Sequence, residues 1–85
     1  METRIAVIAI IAHAHCTETD ELNRLLSAYS DYIVGRMGIP YRQKGVNIIS
    51  IAVDAPPSEI SSLSGKLGRL HGVSVKTAYA PADAV

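Results

Sequence analysis

An α+β fold, with a four-stranded antiparallel sheet and two helices on one face, is what this chain predicts. Three observations carry that expectation. Two dense β-branched runs, Ile5–Ala12 and Val46–Val53, have the character of central strands. Two weaker strand-like segments, 32–42 and 73–79, have the character of edges. Between them lie two stretches with apolar residues at helical spacing, one after the first strand and one after the third. The order is β-α-β-β-α-β, and two right-handed crossovers then give the sheet order 4-1-3-2 of the ferredoxin-like arrangement.

Each element has its own signal. The first run, Ile-Ala-Val-Ile-Ala-Ile-Ile-Ala, is nearly continuous, as expected of a strand covered on both faces. Thr17 offers an N-cap with Asp20 as a weak capping-box partner, and Leu22, Leu25, Leu26 and Tyr29 form one apolar helix face. Gly35, Gly38 and Pro40 interrupt the second strand, which marks it as a bent edge because proline cannot donate to a ladder. Gln43-Lys44-Gly45 reads as a hairpin turn with glycine free to take positive φ. Pro57 suits a first helical turn, and Ile60, Leu63, Leu67 and Leu70 make the second helix's buried stripe, with Gly72 at a C-cap position. In the last strand Val73, Val75, Thr77 and Tyr79 share one face. This gives one domain over residues 1–80 and a flexible tail over 81–85. Isoleucines of the first and third strands point both ways in any register, so the face away from the helices stays apolar and calls for a partner.

Composition narrows the function. The 85 residues carry 48% apolar types and one cysteine, Cys16, so an intrachain disulfide and a Cys-only zinc site are excluded. No apolar run approaches the ~18 residues of a membrane helix. Eight Lys+Arg against eight Asp+Glu remove the simplest case for direct nucleic-acid binding. Arg4, the eight apolar residues after it and Ala12-His13-Ala14 imitate a signal peptide. However, the run is short, the basic flank is a single arginine, and cleavage would discard the most strand-like segment; a cytoplasmic location is expected instead. No serine sits in a G-x-S-x-G elbow, Gly65-x-x-Gly68 lies within a helix rather than at a phosphate loop, and carboxylates are scattered, so no enzyme is expected.

Three groups of residues are candidates for binding. Arg36, Met37, Gly38 and Arg42 lie on or beside the edge strand. The two arginines suit a ligand or partner carboxylate or phosphate, or else keep the edge from adding a further strand. Ser61, Gly65 and Gly68 share the outer face of the second helix; small uncharged residues there, at a cost in helix propensity, point to an oligomer interface. His13, His15 and Cys16 form a His-x-His-Cys turn whose ligand set suits Ni or Zn, with a second chain, His71 or water completing the site. The competing reading is a polar turn with a small buried cysteine.

The string Gly35-Arg-Met-Gly-Ile-Pro-Tyr-Arg42, with Arg4-Ile-Ala-Val-Ile8, Gly45-Val46, Gly65-Lys-Leu-Gly68 and Gly72-Val-Ser-Val-Lys76, resembles the regulators of the iron-only hydrogenase system. These are stand-alone ACT-like domains, distantly similar to the C-terminal sensing domain of nickel-responsive repressors. The resemblance spans roughly residues 3 to 79. It implies a cytoplasmic homo-oligomer, dimer or tetramer, that binds a ligand or a hydrogenase-system protein and lacks its own DNA-binding element. A metal-binding protein and a structural adaptor in hydrogenase maturation are the alternatives. One departure stands out: the turn after the first strand, His13-Ala-His-Cys-Thr17, lacks the glycine that amino-acid-binding ACT domains commonly place there.

Overall fold

Alternation along the first strand decides which face of the sheet is buried. In β1 (Arg4–His13), Ala6, Ile8, Ile10 and Ala12 are buried, whereas Ile5, Val7 and Ile11 are exposed. The computed structural model describes residues 2–14 and 19–81. After β1 come α1 (Thr19–Ala28), β2 (Ile33–Tyr41), β3 (Val46–Ala55), α2 (Pro57–Gly68) and β4 (Val73–Tyr79). The sheet order is β2-β3-β1-β4, which is the 4-1-3-2 order seen from the other edge, and every pairing is antiparallel. This is the ferredoxin-like, ACT-like α+β fold.

The core lies between the sheet and the two helices. Ile8, Ile10, Ile51 and Val53 rise from the central strands to meet Leu22 and Leu26 of α1 and Ile60, Leu63 and Leu67 of α2. Burying each such side chain stabilises the fold by about 1.5–3 kcal/mol. Register holds the alternation in phase: Ile8 pairs with both Ile51 and Thr77, and Ile10 with both Ile49 and Val75. The far end of the sheet is tied by Arg4, whose Nη2 donates to the Ala80 carbonyl at 2.7 Å while its guanidinium lies 4.9 Å from the Tyr79 ring centroid.

Several local expectations shift. The chain enters β2 through a short 3-10 turn, Ser30–Tyr32, and β2 runs unbroken to Tyr41 with a bulge at Val34. Gly35, Gly38 and Pro40 bend the strand's character without ending it, because an edge leaves the proline nitrogen no ladder bond to lose. The β2–β3 connection is a 3-10 turn, Arg42–Lys44, closed by Gly45 at φ 63°. The C-cap of α2 is Arg69 rather than Gly72; Gly72, at φ 79°, shapes the entry to β4, and its carbonyl accepts the His13 N–H at 3.0 Å. The central strands are covered on one face only within the chain, since both helices lie on the same side. Thr17 and the residues of the expected tail beyond Pro81 lie outside the described residues.

Candidate functional site

Strand alternation splits the string 36–42 between two surfaces. Arg36 pairs with the buried Ile51, Gly38 with Ile49 and Pro40 with Asn47, which places these three on the helix-covered side. Met37 pairs with Ser50, Ile39 with Ile48 and Tyr41 with Val46, on the open side. Arg42 belongs to neither surface; it starts the exposed turn that follows β2.

On the helix side, β2 presents Arg36, Gly38 and Pro40 beyond Ile33, and a cleft of about 280 Å³ lies between them and α1. Ala12, Leu22, Pro40 and Ile49 give it an apolar floor, and Thr19, Asn23, Arg36 and Asn47 give it polar groups. A Cβ built on Gly38 meets no atom within 4 Å, so the glycine leaves space that a side chain would fill. Asn23 and Asn47 were not foreseen. Asn47 carried a signal: an amide within a β-branched run is a residue type that strands avoid.

The open side is a second feature. Ile5, Val7 and Ile11 of β1, Ile48 of β3, and Met37, Ile39 and Tyr41 of β2 are all exposed there. Together they run from the β2 edge across the two central strands, a contiguous apolar surface of the kind monomers rarely present. On α2, Ser61, Gly65 and Gly68 are exposed, and a Cβ at either glycine would meet open space. Either side of the buried Ile60, Leu63 and Leu67 stripe the same helix makes polar contacts: Ser62 bonds the Tyr29 hydroxyl at 3.0 Å and Ser64 bonds Thr77 at 2.6 Å. Lys66 Nζ also donates to Tyr29 Oη at 3.0 Å, and this bond, followed by that of Ser62, lowers the Tyr29 pKa.

His13 closes β1 with its side chain exposed at the end where Gly72 and His71 turn into β4. His15 and Cys16 lie outside the described residues. Among the described residues, no three His, Cys, Asp or Glu side chains gather as a metal site. No helix among them is long and apolar enough to cross a membrane.

Residues 4–77 match the family described as "TM1266-like: Iron-only hydrogenase system regulator, putative". Among solved structures, the chain is similar to the uncharacterized protein TM1266 from Thermotoga maritima. The TM-score is 0.91 at 32% identity, over 94% of this chain and all of that one. It also resembles part of a formyltetrahydrofolate deformylase from Pseudomonas putida KT2440, with a TM-score of 0.63 at 16% identity. That match takes in 91% of this chain but 29% of the deformylase, so the likeness is one of fold. No curated protein matches the chain.

Proposed function

Because the chain belongs to the TM1266-like family of iron-only hydrogenase system regulators, we propose that it is a cytoplasmic, non-enzymatic binding module of that system, working as a homo-oligomer. The observation that carries the oligomer is the open sheet face. Seven large apolar side chains stand exposed on one side of a sheet whose helices all lie on the other. A second copy of the chain, stacked face to face at the usual ~10 Å sheet spacing, would bury them as a second core. The small-residue face of α2, Ser61, Gly65 and Gly68, offers a second, separate contact that would take such a dimer to a tetramer, the step by which closed twofold assemblies commonly grow.

Regulation then requires that an effector or partner reach the assembly, and the β2 segment Arg36, Met37, Gly38 and Arg42 supplies accessible groups for it. Charge supports this edge of the sheet: residues 33–45 hold three basic side chains, Arg36, Arg42 and Lys44, and no acidic one. The test is genetic and biochemical together. Deleting the gene in a host that makes iron-only hydrogenase should change hydrogenase level or activity, and the wild-type gene should restore it. An unchanged hydrogenase in the deletion strain would refute the regulatory role. Retention of stoichiometric Ni or Zn through purification would favour the metal-binding alternative instead.

A further inference from the structure

Resting on that regulatory reading, we propose that the cleft between α1 and β2 is the effector site, and that its ligand is a small organic carboxylate with a short apolar body. The cleft is built by an omission. Gly38 faces it from the middle of β2, where glycine is unfavourable relative to alanine. No backbone demand explains that choice, because the glycines with positive φ are Gly45 and Gly72. No steric demand explains it either, because a Cβ there meets open space. Glycine inside a strand often marks the close approach of a ligand, and here the vacated space is the cleft itself.

The lining specifies the ligand. Its formal charge, among the described residues, is the single guanidinium of Arg36, which makes no hydrogen bond or ion pair with any described residue. A planar guanidinium matches a carboxylate with two parallel hydrogen bonds. The amides of Asn23 and Asn47 likewise have no described partner and add donors and acceptors beside it. No described lining residue is acidic, so the described lining offers a carboxylate a partner in Arg36 and offers an ammonium group none, which favours a simple carboxylate over an amine or a zwitterionic amino acid. Asp20 and Glu21, in the first turn of α1, lie outside the lining, and Glu21 is held by Arg24 at 3.1 Å. Leu22, Pro40 and Ile49 receive the apolar body. At about 280 Å³ the space falls just under the ~300–1,000 Å³ of sites for drug-sized molecules, which restricts the body to a few carbons.

Calorimetric titration of the full chain at low ionic strength tests this with butyrate, isovalerate and glutarate, against n-butylamine, norvaline and inorganic phosphate. At least one carboxylate should bind with a Kd of about 1 mM or tighter. The amine and the amino acid should bind at least tenfold more weakly. Gly38→Val should fill the cleft and lose binding while keeping the wild-type Tm. Should that variant misfold, Arg36→Gln, a change at an exposed side chain, reads the same site and should weaken binding at least tenfold, with Lys44→Gln unchanged. Absence of any carboxylate binding, equal binding of n-butylamine, binding of phosphate alone, or wild-type affinity in Arg36→Gln would each overturn the proposal. The gene-deletion phenotype is read without these ligands, so failure here alongside a retained phenotype removes the cleft assignment and leaves the regulatory reading standing.

Discussion

The Tyr29 hydroxyl lies 3.0 Å from both Lys66 Nζ and Ser62 Oγ, linking the end of α1 to the polar side of α2. These bonds favour the phenolate, Lys66 first, so the folded protein holds the Tyr29 pKa below the ordinary value of 10.0. The unfolded chain therefore binds more protons than the folded one between the lowered value and about 10. Stability contributed by this group accordingly rises with pH through that window and is absent below it. Lys66→Met should shrink the rise and move the tyrosine back toward its ordinary value in a spectrophotometric titration; an unchanged titration would show that the lysine contact does not persist in solution. Tyr29→Phe should cost about 1 kcal/mol in urea unfolding at neutral pH, since Ser62 and Lys66 both lose a partner. None of this was legible in the sequence. Tyr29 was readable as an apolar-face residue at i+7, but its hydroxyl meets groups 33 and 37 positions away, and only the fold brings them together.

At the level of elements, the glycines separate turns from sites. Gly45 holds φ 63° in the turn into β3, a left-handed conformation that costs a residue with a Cβ about 1–2 kcal/mol. Gly45→Ala should therefore destabilise by roughly that amount, whereas Gly38→Ala, with no such angle and open space above it, should be neutral or stabilising by up to about 1 kcal/mol. Equal losses from both would contradict the distinction. Thermal or denaturant unfolding of the two variants decides it. Most elements were readable because their apolar periods differ: near-continuous β-branched runs for β1 and β3, and the 3-4 spacing of leucines for α1 and α2. Gly45 was readable as a turn residue for the same local reason. The role of Gly72 was not, since its place depends on where α2 stops, and that helix stops at Gly68 with Arg69 as its C-cap. Asn23 and Asn47 went unread as cleft residues because nothing local says that α1 and β2 leave a gap between them.

Over the whole molecule, sheet order and the one-sided placement of helices followed from the two strong and two weak strands together with crossover handedness. The same pattern showed that one sheet face would stay apolar, because Ile5, Val7 and Ile11 alternate with Ala6, Ile8 and Ile10 along β1. Which residues of string 36–42 go to which face awaited the register of β2 on β3, set by the bulge at Val34. The outer face of α2 can be tested apart from the sheet: Gly65→Arg places a long charged side chain on it and should stop assembly at the dimer, leaving the sheet contact intact. Whether the open sheet face is a contact between copies is decided by the light-scattering mass of wild type and Ile11→Lys at tens of micromolar. Wild type should have at least twice the 9.1 kDa of one chain, and Ile11→Lys, folded by circular dichroism, should fall to half the wild-type mass or less. A wild-type mass of 9.1 kDa throughout the concentration range, or an Ile11→Lys variant that assembles as the wild type does, would contradict it.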